Sequence, residues 1–266
     1  MMRVHVSGVG VAAPGLPDWD AARPVIAGAA PYEPSELVYR APDTLSGAEK
    51  RRSPPSVRLT LDVAEQARRM AGVDGKDLSA VFGSMTGDGV VLTRCLETLT
   101  DASPYVSPTD FHNTVHNAAV GYWAIGAGSN RPATSLSAAN ETFALALLKS
   151  CMEVVTAGAP VLLCVYDIPY PEPLRAKVPV LAPFGAALIL QPEGQVTAPT
   201  LTVALSDEDR SVSRPACGFW NGLFDGVPAA RAIPILEWLA TAGARTPQDL
   251  CVGRVGSRSL VVDVAP

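Results

Sequence analysis

The chain has 266 residues, enough for one large domain or two small ones, and 48% of them are hydrophobic against 18% charged. Its net charge of −5 argues against nucleic acid or an anionic membrane surface as a partner. It has no apolar run of about 18 residues that could cross a membrane and no signal-peptide pattern at its start. Five scattered cysteines without C-x-x-C spacing are typical of a reduced, cytoplasmic protein.

The first third of the chain predicts a strand, an irregular stretch and a helix. Alternating valines from Val4 to Val11 predict the strand. Residues 18–55 contain six prolines, which predicts a surface excursion with one short helix. An apolar stripe from Val57 to Ala71, preceded by Ser56 as a helix cap, predicts the helix.

The rest of the chain alternates strands with helices and then becomes rich in strands. Strands are predicted at 78–82, 133–137, 161–166, 185–190, 201–205 and 260–264, with 185–190 and 201–205 as a pair. Helices are predicted at 90–99, 115–125, 140–156 and 229–242, and a proline-rich loop at about 167–183. This order predicts an α/β sheet with helices on both faces and an antiparallel edge.

Few residues are candidates for catalysis or for metal or phosphate binding. His112 and His116 lie one helical turn apart, but the motif lacks a glutamate and a third ligand, so hydrogen bonding around a helix start is favoured over zinc. Ser135 and Ser137 lie where a predicted strand leads into a predicted helix, as a hydrolase nucleophile does, yet the flanking glycines of G-x-S-x-G are absent. The glycine-rich turn at 83–89 is not a P-loop and predicts tight packing. The basic cluster Lys50–Arg52 predicts either a solvated loop or a docking point for an acidic partner.

Three segments together resemble β-ketoacyl synthases: residues 3–14, residues 107–121 and Leu136 to Asn140. Their order and spacing carry the resemblance, since no single motif is specific. The pattern Ser-Pro-Thr-x-Phe-His-Asn-x-Val-His-Asn-Ala at residues 107–118 is similar to the short chain-length-factor-like subunits of aryl polyene pigment clusters. The resemblance implies one thiolase-like domain over residues 1–266, with a mixed, mostly parallel sheet of about five strands. This would be the amino-terminal half of the family fold.

The departures from the family imply a protein without catalytic residues. The nucleophilic cysteine of the family falls on Asn140, whose amide cannot form an acyl thioester. The two catalytic histidines of the family lie in its second half, which we expect to be absent because the chain ends at Pro266. No cofactor or metal is expected. Two alternatives remain: a malonyl-carrier-protein decarboxylase that uses Asn140, and a serine esterase that uses Ser137 with His112 or His116.

The resemblance also implies a partner, a full-length ketosynthase, in a heterodimer or larger assembly, with an acyl carrier protein as a further possible partner. In the family, Leu136 to Asn140 corresponds to a strand-to-helix turn, called the elbow below. Pairing is expected through the strand that leads into this elbow, at Ala133, Thr134, Ser135, Leu136 and Ser137. Four residues are then expected to line the acyl pocket of the partner: Phe111, His112, Thr114 and His116. Their bulk would limit the length of the growing chain.

Overall fold

One eight-stranded sheet organises the computed structural model, which describes residues 1–40, 43–241 and 246–266. The strands are β1 (Met2–Ala12), β2 (Ser79–Gly83), β3 (Ala133–Leu136), β4 (Val161–Asp167), β5 (Phe184–Pro192), β6 (Thr200–Ser206), β7 (Gln248–Val255) and β8 (Arg258–Ala265). Their order across the sheet is β3-β2-β4-β5-β1-β6-β8-β7, so β3 and β7 are the two edges.

Nine α-helices lie in the described ranges. They are α1 (Trp19–Ile26), α2 (Gly47–Arg52), α3 (Pro55–Ala71), α4 (Gly89–Thr98), α5 (Pro108–Asn113), α6 (Ala118–Ala127), α7 (Thr142–Ala157), α8 (Asn221–Gly226) and α9 (Ile233–Ala240). The excursion predicted at 18–55 therefore holds two helices, and residues 41–42 of it lie outside the described part. The helix predicted at 229–242 is a 3-10 turn followed by α9, and residue 242 is also outside that part.

The sheet is mixed, as predicted, but it is neither five-stranded nor mostly parallel. Only β3 and β4 run parallel to their neighbour β2, and the other pairs are antiparallel. The strands predicted at 185–190 and 201–205 do not pair with each other, because β1 lies between β5 and β6. Strand β7 was missed: it begins with exposed polar residues, and its pairing with β8 contains a bulge near Cys251.

Local sequence explains the elements that position the elbow after β3. Helix α3 begins with Pro55 in its first turn and ends at Gly72, which has a φ of +65°. Every residue of β4 is buried, because α3 packs on one face of the sheet and α7 on the other. Separate hydrophobic clusters fill the two faces.

The carboxy-terminal elements form a second layer over α7. Strand β7 and the 3-10 turn at Pro228–Ala232 both contact this helix. Gly253 of β7 lies so close to it that an added Cβ would be 2.6 Å from the Cβ of Ala144. Helix α7 is thus covered both by the sheet and by the chain's own last strands. Within the described ranges, none of the helices is both long and apolar enough to span a membrane.

Candidate functional site

The elbow after β3 has a strained backbone. Strand β3 leads through Ser137 and Ala138 into a 3-10 turn at Ala139–Glu141, which continues into α7. Ala139 has a φ of +48° and is the one non-glycine residue of the described ranges with positive φ. Thr142 stabilises the turn, because its hydroxyl accepts from the Ala138 amide at 3.0 Å and donates to the Ala139 carbonyl at 2.7 Å. An L-residue at positive φ costs free energy, so the surroundings must hold this conformation in place.

The tip of the elbow presents no nucleophile. Ala139 carries only a methyl group, and Asn140 carries an exposed amide that makes no hydrogen bond within the described residues. A covalent acyl transfer requires a thiol, hydroxyl or amine that a neighbouring base can deprotonate. The tip of the elbow therefore carries no side chain that could form a covalent acyl intermediate.

A buried carboxylate holds the base of the elbow region. Asp167, at the end of β4, is fully buried and accepts hydrogen bonds from the Ser84 hydroxyl, the Met85 amide and the Ala229 amide at 3.1, 2.8 and 2.9 Å. Burial raises the pKa of Asp167 to about 6, although the three hydrogen bonds act in the opposite direction. The side chain thereby joins the ends of β2 and β4 to the 3-10 turn at Pro228–Ala232.

Glu141 ties the elbow to the carboxy-terminal layer. Its Oε2 accepts from the Arg254 amide of β7 at 2.7 Å. The turn at Pro228–Ala232 contacts the elbow turn as well, with Ala229 and Ala230 fully buried. Both contacts come from the chain's own last 40 residues, so the inner side of the elbow is filled by this chain.

His116 belongs to the strand edge, whereas Phe111 and His112 face solvent. The Nδ1 atom of His116 lies 2.7 Å from the Ser135 hydroxyl, and its Nε2 lies 2.9 Å from the Ser84 carbonyl. A carbonyl only accepts, so Nε2 carries a proton and donates. Phe111 is 68% exposed on α5, and the His112 ring packs edge-on to Tyr122 with ring centroids 6.2 Å apart.

The structure does not bring Ser137 to a histidine. Its hydroxyl donates to the Met85 carbonyl at 2.7 Å, while the serine next to His116 is Ser135. Thr114 likewise donates to a backbone carbonyl, that of Phe111. In the ranges that the structure describes, no group of three His, Cys, Asp or Glu side chains is placed to hold a metal ion.

The two edge strands of the sheet differ in how far their outer backbone groups are hydrogen-bonded. Strand β7 is shielded, because Ser213 exchanges hydrogen bonds with Cys251 along its outer side. Strand β3 has no such shield within the described residues. The carbonyls of Pro132 and Leu136 accept from β2, so by alternation the backbone groups of Ala133 and Ser135 point away from the sheet. Natural proteins commonly shield exposed strand edges, which makes the bare β3 edge a candidate pairing site.

Sequence reasoning located the elbow and its strand but missed the residues that support them: Ser84, Glu141, Asp167 and Arg254. Asp167 gave a usable signal, since a carboxylate at the end of a fully buried strand needs hydrogen-bond donors to offset the cost of its burial. Glu141 and Arg254 gave none, because their contact joins residues more than 100 positions apart.

Comparisons with known proteins agree with this geometry. A family model described as beta-ketoacyl synthase, N-terminal domain, matches residues 28–218, well over half of the chain. A search of curated proteins found none that matches this chain.

Several solved structures are similar over nearly the whole chain. A structure of the ketosynthase ApeO with its chain length factor ApeC from Xenorhabdus doucetiae has 20% identity and a TM-score of 0.69, covering 100% of both chains. The ishigamide ketosynthase/chain length factor has 14% identity and a TM-score of 0.72, with 99% of each chain covered. The AntDE:AntF complex, a type II ketosynthase with its acyl-carrier protein, has 10% identity and a TM-score of 0.76, again with 99% of each covered. These likenesses show the thiolase-like ketosynthase fold.

Proposed function

Because the chain belongs to the beta-ketoacyl synthase N-terminal domain family, we propose that it is a non-catalytic, chain-length-factor-like subunit. It pairs with a full-length β-ketoacyl-carrier-protein synthase and shapes the acyl pocket of that enzyme in a polyene or fatty-acid-like biosynthesis. The similar chains include one from a complex named for a ketosynthase and its chain length factor, which supports this class of role.

The bare edge of β3 carries the proposal. The outward backbone groups of Ala133 and Ser135 offer donors and acceptors to a second strand, and β3 contains no charged residue to repel one. The opposite edge of the sheet is shielded by Ser213. A partner strand from the ketosynthase would continue the sheet through backbone hydrogen bonds.

The elbow supports the non-catalytic part of the proposal. Neither Ala139 nor Asn140 is a nucleophile, and the turn at Pro228–Ala232 fills the inner side of the elbow. No acyl chain is therefore expected to be held covalently on this subunit.

The α5 segment supports the pocket-shaping part. Phe111 is largely exposed, and His112 and Thr114 lie beside it on the same short segment. A large apolar side chain that faces solvent in the free subunit is suited to closing the end of a partner's acyl pocket. His116 has both ring nitrogens engaged within this chain, so its part in the proposal is to hold β3 next to α5.

Two variants of one residue test the strand pairing. Ser135→Pro removes the outward amide of Ser135 together with its hydroxyl, whereas Ser135→Ala removes only the hydroxyl. Each variant is co-expressed with the full-length ketosynthase encoded in the same gene neighbourhood, and the complex is measured by size-exclusion chromatography. We expect Ser135→Ala to co-elute with the ketosynthase and Ser135→Pro to elute alone.

Product analysis tests the role in chain length. Phe111→Ala should give longer acyl products than the wild-type complex, because the end of the pocket is then less obstructed. A wild-type subunit that never co-elutes with the ketosynthase, together with unchanged products from the ketosynthase alone, would falsify the proposal.

A further inference from the structure

Helix α6 lies at the β3 end of the sheet. On this face of the sheet, α3 packs over β4, β5 and β1, whereas α6 contacts β2 and β3 and packs against α3. Because β3 is the edge strand and β2 is its neighbour, α6 covers the edge of this face and α3 covers the middle. The turn before α6 also touches the strand, since Nδ1 of His116 lies 2.7 Å from the Ser135 hydroxyl.

The sequence of α6 is typical of a buried helix, yet one side of it is open. Its ten residues, Ala118–Ala127, include no charged side chain and no polar group apart from the hydroxyl of Tyr122 and the indole N–H of Trp123. A helix that is apolar all round is normally enclosed on every side. Ile125 is nevertheless 67% exposed, and a Cβ added at Gly121 would meet no described atom within 4 Å. Within the described residues, this side of α6 therefore lacks the cover that its composition predicts.

The open side of α6 lines a groove of about 480 Å³, called the α6 groove below. Ala118, Gly121 and Ile125 line it at positions i, i+3 and i+7, which lie on one face of the helix. Arg52 of α2 and His112 of α5 are among the other lining residues. Apolar surface bordered by charged and polar groups is the usual composition of a protein–protein contact.

The α6 groove is next to the β3 edge. Val115 and Asn117 both line the groove, and they are the immediate neighbours in sequence of His116, whose ring contacts Ser135 of β3. Helix α6 itself contacts the same strand. A strand that paired with the outer side of β3 would therefore pass close to the groove.

Interface size gives a reason for the strand and the groove to be used together. A stable protein–protein interface buries about 800 Å² on each partner. Strand β3 has four residues and spans only about 13 Å, which is too little surface for a lasting complex. A contact through β3 therefore needs apolar surface beside the strand, and the α6 groove supplies it.

We infer that the α6 groove receives an apolar side chain of the ketosynthase partner, beside the paired β3 strand. The inference rests on the proposed function, since it names a second contact of the same heterodimer. Large side chains that enter a desolvated pocket supply much of the binding energy of an interface. In this complex the partner completes the enclosure of α6, which accounts for the apolar sequence of that helix.

A matched pair of glycine substitutions tests the inference. Gly121→Leu fills the groove, and Gly222→Leu makes the same change on α8, where an added Cβ also meets no atom within 4 Å. Helix α8 packs on the turn at Pro228–Ala232, which contacts α7 on the other face of the sheet. Leucine favours a helix more than glycine does, so neither change should unfold the chain.

Ile125→Lys is a second variant of the groove and places a charge at its exposed apolar residue. The melting temperature of each variant alone verifies folding. The affinity for the ketosynthase is measured by titration, and size-exclusion chromatography gives the oligomeric state of the chain alone.

We expect Gly121→Leu and Ile125→Lys each to weaken binding at least tenfold and Gly222→Leu to leave it unchanged. Wild-type affinity for both groove variants, with Ser135→Pro still unable to bind, would overturn the groove contact and leave the proposed function standing. A dimer of the chain alone that Gly121→Leu dissociates would assign the groove to a second copy and overturn the inference. Failure of the wild-type chain to bind the ketosynthase at all would overturn both the inference and the proposed function.

Discussion

Ala139 holds an elbow conformation that its own side chain does not favour. An L-residue at positive φ is destabilised by roughly 1–2 kcal/mol relative to glycine. Replacing it with glycine removes this strain, but the greater backbone entropy of glycine in the unfolded chain offsets part of the benefit. Ala139→Gly should therefore raise the free energy of unfolding by about 0.5–1 kcal/mol, measured by urea denaturation. Ala138→Gly, at a φ of −151°, should lower it. Destabilisation by both substitutions would contradict strain at Ala139.

Asp167 should make stability fall as pH rises. Its folded pKa of about 6 exceeds the value of about 3.9 in an unfolded chain, so the folded state binds the proton more tightly. The contribution of this group is fully present below about pH 4 and is lost between about pH 4 and pH 6, a change on the order of 2–3 kcal/mol. Asp167→Asn should flatten that part of the pH profile of the free energy of unfolding. Asp263→Asn, at an exposed site on β8, should leave the profile unchanged.

Strand β3 is held to the α5–α6 region by one histidine. His116 donates to the Ser84 carbonyl and contacts the Ser135 hydroxyl, so its loss leaves both groups without that partner. His116→Ala should cost about 1–3 kcal/mol of stability and speed amide hydrogen exchange in β3. His112→Ala, at an exposed ring, should cost less than about 0.5 kcal/mol. Equal effects of the two substitutions would show that His116 does not hold the strand.

Elements with strong local signals were predictable from sequence. Strand β4 is a continuous apolar run and was predicted to within one residue, and the end of α3 before Gly72 was predicted as well. The start of α3 was predicted less well, because the helix begins at Pro55 and Ser56 lies inside it instead of capping it. The elbow followed from the change between a strand pattern and a helix pattern near Asn140. Pairing was less predictable, because β5 and β6 flank β1 through contacts distant in sequence. The His116–Ser135 contact was missed for a related reason: it depends on how α6 packs beside β3.

At the scale of the whole molecule, the resemblance implied the amino-terminal half of a larger fold. In the structure, β6, β8 and β7 continue the same sheet beyond β1, and β7 contacts α7. Within the described residues, the exposed apolar side chains of α7, Met152 and Val155, lie on one side of a helix whose other sides are covered by this chain.

The contact between β7 and α7 should decide whether the carboxy-terminal strands and α7 unfold together. Gly253 has no room for a side chain, since an added Cβ would overlap Glu141 Oε2 and crowd Ala144. Gly253→Ala must push β7 away from the helix and strain the bond between Glu141 and the Arg254 amide. We expect a loss of about 2–3 kcal/mol in the free energy of unfolding, despite the entropic benefit of alanine.

Gly222→Ala provides the matched control, because an added Cβ there meets no atom within 4 Å and α8 favours alanine over glycine. That substitution should stabilise the protein by about 0.5–1 kcal/mol. Near-ultraviolet circular dichroism and tryptophan fluorescence should report one coincident transition for the wild type, because Trp238 of α9 and Phe143 of α7 belong to one core cluster. If Gly253→Ala is as stable as the wild type, the last strands do not pack closely on α7.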